Sequence, residues 1–548
     1  MAAAAVVPVL FAGVALCQST DWTGSDGSSW SDPGNWDNGV PSQSSEDVNI
    51  ISGSTATVDY DYTGPTVSLG TLSLDNTNGG TETVQISTNN IALNDAYVGV
   101  NGNGAFIQSG GSLTLETFSS MELGANAGST GSYVLSGSGS LSGSVDVGEN
   151  GCGVFNQSGG SNTEEQLELG AGGGSSGTYL LSGSGVLTAD VMSVGMSSGS
   201  TASFSQSGGT FTLNNQIIVG GASGATGIFN LSGGVISTPT VGEEFVGYRG
   251  DGVFNQTGGT NIVGSPTQTE DDVDVGFGSG SNGVFNLSGG ELIDYGFLQL
   301  GSGGTGIFTV SNQGELVVKA NVYVQPHGEF VISGGCAIIG GLDFSSIGGG
   351  GLANINSALM IDPRYPFATS DGAIQGYIKS GQIIGTYAAA NGLYIAYAGG
   401  SDPGVIDPNL LPGEFVVEPD IAGDADMNGV VNFHDLQMLL ANFGNLGYWD
   451  QGNFNNHPTI DFDDLQMLLG NFSDSKTLSD SELAGIEDLV GQFGYIADAN
   501  GDNNGFSLVA VPEPASLGLL AVGATLLAAR RRGCSSPCSC AWRPGTRR

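Results

Sequence analysis

Oxygen-bearing side chains recur at short, regular intervals in Asp424-Ala425-Asp426-Met427-Asn428-Gly429-Val430-Val431-Asn432-Phe433-His434-Asp435. With Asp424 as position 1, side-chain oxygens stand at positions 1, 3, 5, 9 and 12 (Asp424, Asp426, Asn428, Asn432, Asp435), and Gly429 stands at 6. The Val430 carbonyl is available from position 7. A hard cation of the calcium type takes about six to eight oxygens from a loop of this length, and glycine at the sixth position permits the turn that wraps both halves around it. Calcium is therefore the cofactor this spacing predicts. Leu436, Met438, Leu439, Leu440 and Phe443 follow at helical spacing and predict an amphipathic helix leaving the loop.

The helix sequence Asp435-Leu436-Gln437-Met438-Leu439-Leu440 returns as Asp464-Leu465-Gln466-Met467-Leu468-Leu469. Aligning the two places Asn453, Asn455, His457, Thr459, Asp461 and Asp464 at positions 1, 3, 5, 7, 9 and 12 of a second loop. There His457 and Pro458 replace an oxygen ligand and the turn glycine, so a weaker second site is expected. The paired loop–helix units resemble a type I dockerin. That resemblance implies a calcium-stabilised helical docking module over residues 420–474 and a cohesin-like protein as its partner. Calcium that merely folds a small domain, with no partner, is the alternative.

At the other end of this region stand Pro512-Glu513-Pro514, an apolar run at 515–529 and Arg530-Arg531-Arg532. This resembles a PEP-CTERM sorting signal, which implies an exosortase-type sorting enzyme as partner. A bilayer crossing needs about 20 apolar residues, so the shorter run predicts a transient membrane contact through a C-terminal hydrophobic helix, with the arginines on the inner side. The apolar leader at 1–17 reads as a secretory signal peptide.

What must carry these modules is a repetitive β architecture. Glycine accounts for 95 of 548 residues and charged residues for only 12%. A motif of Gly, any residue, aromatic, two residues, Ser or Thr, Gly recurs every 22–31 residues, with aromatics Phe106, Tyr133, Phe155, Tyr179, Phe204, Phe229, Phe254, Phe285, Phe308 and Phe330. Between them runs a second motif, apolar, any residue, apolar, Gly, as in Leu167-Glu168-Leu169-Gly170. Each short run alternates with period two, so one face enters a core and glycines supply the corners. The predicted fold is a right-handed parallel β-helix, or β-solenoid, with the aromatics stacked in an internal ladder. Two positions after the aromatic, Gln108, Leu135, Gln157, Leu181, Gln206, Leu231, Gln256 and Leu287 alternate strictly. The region resembles the glycine-rich, autotransporter-type repeats of large exported proteins from planctomycetes and other Gram-negative bacteria. Asn156, Asn230, Asn255 and Asn286 fall in Asn-x-Ser/Thr triplets, but their fixed place in the repeat favours a turn or ladder role over glycosylation.

The expected organisation is a signal peptide at 1–17, a Trp-rich cap with first strands at 18–94, repeats at 95–340, a β cap and linker at 341–419, the calcium module at 420–474, a linker at 475–510, the sorting signal at 511–532 and a tail at 533–548. Trp22, Trp30 and Trp36 serve either to cap the solenoid or to stack on carbohydrate. The formal charge is −42, and residues 1–248 contain no Lys or Arg. Nucleic acid is thereby excluded as a partner, because phosphates need cationic contacts. Six cysteines show neither zinc spacing nor a disulfide framework.

Two function classes remain. One is an exported surface or extracellular protein of structural or adhesive role, with an extracellular polysaccharide as candidate ligand. The other is a polysaccharide-degrading β-helix enzyme attached through its dockerin-like module. A lyase base would have to come from Arg249, Lys319, Arg364 or Lys379, which are scattered. A glycosidase pair would come from Glu164, Glu165 and Glu168 or from Glu270, Asp271, Asp272 and Asp274. No catalytic residue stands out.

Overall fold

The computed structural model describes residues 19–239, 242–267, 272–344, 350–362, 364, 369–399, 414–472, 480–492, 495–499 and 506–510. The chain divides into two units, Met1–Phe204 and Ser205–Arg548.

In the first unit, short strands stack in parallel from coil to coil. One side of the coils runs Ser19–Asp21, Asp47–Ile50, Ser68–Leu74, Ile91–Val98, Ser120–Leu123, Ser144–Val147 and Ser161–Leu169, each paired in parallel with the next. A second side carries the aromatic motif, with Phe106, Tyr133, Phe155 and Tyr179 in register. Their rings stack at centroid separations of 5.1, 4.8 and 4.6 Å, close to the spacing of neighbouring strands. Among the described residues the parallel ladder begins at Ser19, within the stretch read as a Trp-rich cap with first strands. The Gly-x-aromatic motif is missing from these first coils. Trp22, Trp30 and Trp36 are 5%, 0% and 4% exposed and meet edge to face, with Tyr60 against Trp30 at 5.0 Å. Rings sealed to this degree cap the coil and offer no face to a sugar.

Glycine plays two distinct parts in the repeat. In the apolar-x-apolar-Gly motif it turns the corner: Gly124 sits at φ +73, a region closed to most side chains. In the Gly-x-aromatic motif it allows close stacking, since a Cβ on Gly131 would collide with the Val98 carbonyl of the neighbouring coil.

The second unit repeats this plan. Thr226–Thr238, Asp251–Val263, Asn282–Asp294 and Thr305–Val324 pair in parallel, keeping Phe229, Phe254, Phe285 and Phe308 in register, and the stack ends with Phe330. On the outer face, Asn286 Nδ2 donates to Asn255 Oδ1 and Asn255 Nδ2 to Asn230 Oδ1, both at 3.0 Å. These three amides form a ladder, as their fixed place in the repeat predicted, whereas Asn156 is exposed and stands in register with Val134 and Leu180.

The alternation of Gln and Leu now has a cause. Each buried Gln donates both amide protons to carbonyls of two successive coils. Gln108 Nε2 reaches Gly111 O in its own coil at 3.1 Å and Ser140 O in the next at 3.0 Å. Gln157 bridges Gly160 and Val186, Gln206 bridges Gly209 and Val235, and Gln256 bridges Gly259 and Glu291 in the same way. One amide therefore satisfies two corners, and the coil between needs only an apolar side chain. In the first unit the Gln carbonyl is also used: Tyr133 Oη donates to Gln108 Oε1 and Tyr179 Oη to Gln157 Oε1.

In the second unit the parallel ladder ends along one side with Cys336–Asp343 against Leu359–Ile361 and along another with Leu352–Ile355 against Ile383–Ile384. Leu359–Ile361 then pairs antiparallel with Phe415–Asp420, which pairs antiparallel with Tyr394–Gly399. Helices Asp371–Ser380 and Thr386–Asn391 flank this end. The span 475–510, expected as a linker, holds the helix Asp480–Gln492 and an antiparallel pair, Tyr495–Ala499 with Phe506–Ala510. The alternating apolar residues of those two strands bracket Asn500, Gly501 and Asp502, a turn-prone sequence whose hairpin signal outweighs its polarity.

Candidate metal centre

The paired loops and helices are present as repeated units. Helices Phe433–Asn442 and Phe462–Asn471 each begin with a capping box, Asn432 with Asp435 and Asp461 with Asp464. The residue at position 12 of each loop is therefore also the third residue of its helix. In the first loop, Asp435 Oδ1 accepts from the amides of Ala425 at 2.8 Å and Asp426 at 3.2 Å, and Oδ2 accepts from Asn432 N at 2.8 Å. In the second, Asp464 repeats all three bonds with Phe454, Asn455 and Asp461. Each loop leans on the helix of the other unit. Gly423, at φ +109, packs on Leu468, and Gly452, at φ +100, packs on Leu439, both too closely for a Cβ.

Three of the six residues expected to hold the first cation converge. Carboxylate oxygens of Asp424, Asp426 and Asp435 lie within 4.8 Å of one another, and the three residues are at most 1% exposed. Asn428, Val430 and Asn432 form the outer lip. Asn428 Oδ1 accepts from Val430 N at 2.9 Å, while Asn432 caps the helix through His434 N and gives its Nδ2 to the Val430 carbonyl. Gly429 takes φ +84. Burial, then the charges of Asp435 and Asp426, pushes the Asp424 carboxyl up to about 7. Burial likewise raises Asp435 to about 6. No Lys or Arg occurs between residues 380 and 475, and His434 Nδ1 lies 3.1 Å from Asp426 Oδ2. A buried pocket of hard oxygen donors suits a divalent cation such as calcium.

The second loop is organised differently at its first position. Asn453 turns its amide inward and donates to Gly447 O at 2.9 Å and His457 O at 2.6 Å. Asn455 Oδ1 accepts from His457 N, and Thr459 is exposed. Pro458 cannot take the positive φ that Gly429 uses. An N–H donor thus fills the place where the first loop presents the Asp424 carboxylate. Sequence spacing found both loops but could not show this inward amide.

Other candidate groups are occupied by structure. Glu164 is only 3% exposed, inside the coil, with neither carboxylate oxygen hydrogen-bonded, and burial raises its pKa strongly. Glu168 lies on the outer face in register with Asp146 and Glu122. Arg364 pairs with Asp362 and Glu414, Lys379 donates to Gln375, and the Arg249 guanidinium covers the Tyr248 ring. Glu270 and Asp271 lie outside the described residues.

Residues 510–532 match the PEP-CTERM protein-sorting motif. The chain carries an exosortase sorting signal. Export and C-terminal membrane anchoring through sorting follow from that motif, as does processing by an exosortase-type enzyme. Pro512, Glu513, Pro514 and the apolar run at 515–529 lie outside the described residues, as does the leader at 1–17. Among the described residues no helix is long and apolar enough to cross a membrane. No curated protein and no solved structure matches the chain.

Proposed function

We propose that this exported β-solenoid serves a structural or adhesive role at the cell surface and that its C-terminal module holds one calcium ion in the first loop. The observation that carries the calcium reading is the convergence of Asp424, Asp426 and Asp435 in a buried pocket. These three would supply the inner oxygens, with Asn428, Asn432 and the Val430 carbonyl closing the lip. A bound calcium would neutralise the carboxylates and tie the loop to the start of its helix. The second loop, closed by its own amide, would need no ion. A cohesin-like protein or an extracellular polysaccharide is the partner this reading looks for.

Titration calorimetry on the mature chain tests the metal assignment. One tight calcium per chain is expected, lost in Asp424→Ala and Asp435→Ala and retained in Asp464→Ala. Two equal tight sites would overturn the distinction between the loops, and no heat at all would overturn the metal itself.

A further inference from the structure

The module does not hang free. Phe415–Asp420, the strand that closes the last rung of the solenoid at Leu359–Ile361, leads directly into the first loop, where Asp424 follows after three residues. The Asp424 carbonyl is held from the other side by the Trp449 indole N–H at 2.8 Å, with Trp449 fully buried and edge to face on Phe454. Trp449 opens the short 3-10 turn Trp449–Gln451, which packs against Tyr394–Gly399, the outermost strand of the same end. Two side-chain bonds complete the seat: Tyr397 Oη to Asn456 Oδ1 and Gln375 Nε2 to Gly447 O, both 3.2 Å. The first reaches into the second loop, and the second shares the Gly447 carbonyl with Asn453, just ahead of that loop. At the far end of the second loop–helix unit, Asn471 Nδ2 donates to Ala422 O at 2.8 Å, just ahead of the first loop.

We propose that the module is the end-stop of the solenoid, and that calcium in the first loop sets how firmly the stop is closed. The second unit is a fixed seat on the cap, stable without metal. The first loop is the responsive part, inserted between the closing strand and Trp449. This rests on the calcium reading above. A terminal rung exposes unpaired backbone groups unless something covers it. A ligand that orders the loop must, by linkage, favour the arrangement in which the strand feeding that loop is docked.

Hydrogen exchange of the whole mature chain, with calcium and with chelator, tests this alongside calorimetry on the same samples. Chelation should speed exchange at Phe415–Asp420 and Tyr394–Gly399 by at least about tenfold, while Thr226–Thr238 stays unchanged. Trp449→Phe keeps the ring and removes the indole donor. It should still bind one calcium, more weakly as linkage requires, while losing most of the protection that calcium confers on Phe415–Asp420. Tyr397→Phe should act in the same direction. Calcium that binds without altering exchange at those strands would overturn the end-stop proposal and leave the metal assignment standing. Absence of calcium binding would overturn both.

Discussion

Asn453 shows how one atom type divides two loops that share a spacing. Aspartate at the first position of the first loop is an acceptor that draws in amides and, on our reading, a cation. Asparagine at the same position of the second is a donor, and its two protons go to Gly447 O and His457 O. Asn453→Asp removes both donors and sets a third carboxylate beside Asp461 and Asp464. Gly447 O keeps the Gln375 amide and only the half-buried bond to His457 O is lost outright, so denaturant unfolding of this variant in chelator should show the module weakened by about 1 kcal/mol, the net worth of a typical hydrogen bond. An unchanged midpoint would mean that the Asn453 amide does not close the loop. From the sequence, the loss of a ligand at His457 and of the turn glycine at Pro458 was legible. That a neighbouring residue already supplied the substitute was not, because an asparagine reads equally well as donor or acceptor until its partners are known.

At the scale of the coil, the aromatic spacing and the glycine corners were legible because each repeat buries the same face. The Gln and Leu alternation was visible as a pattern, but its reason lies in a reach across coils that no single repeat contains. The same bridge explains a difference between the units. Gln108 and Gln157 give their carbonyls to tyrosines of the next coil, whereas Gln206 Oε1 and Gln256 Oε1 are buried without a partner, and the aromatics following them are Phe229 and Phe285. Phe229→Tyr and Phe285→Tyr should supply the missing hydroxyls in a geometry the first unit already uses. Each should stabilise the second unit by about 1 kcal/mol, the net worth of a typical buried hydrogen bond. Thermal unfolding would register this as a rise in midpoint. A fall would indicate that the ring cannot accept the extra oxygen without shifting its stack.

At the scale of the molecule, the acidic surface of the first unit has no Lys or Arg of its own as counterweight. Its outer face sets Glu122, Asp146 and Glu168 in register on successive coils. Burial, then the charges of Glu168, Glu149 and Glu122, pushes Asp146 up to about 7, and burial with Glu149 and Asp95 does the same to Glu122. The sign of the consequence is fixed by linkage. A carboxyl whose pKa is higher in the fold than in the unfolded chain binds more protons when folded, so stability is full below the unfolded value and is lost as pH rises towards about 7. The repulsion also runs through solvent, where salt at about 0.5 M shortens its range to a few ångströms. The unfolding temperature of the chain should therefore be higher near pH 5.5 than near pH 8 in dilute buffer, and the gap should narrow in salt. Asp146→Asn removes the central charge of the ladder. It should raise the midpoint at both pH values, more at pH 8 than at pH 5.5, and leave calcium binding untouched. A midpoint for Asp146→Asn that falls at pH 8 would show that the carboxylate is held by a favourable contact and that the ladder is not a source of strain.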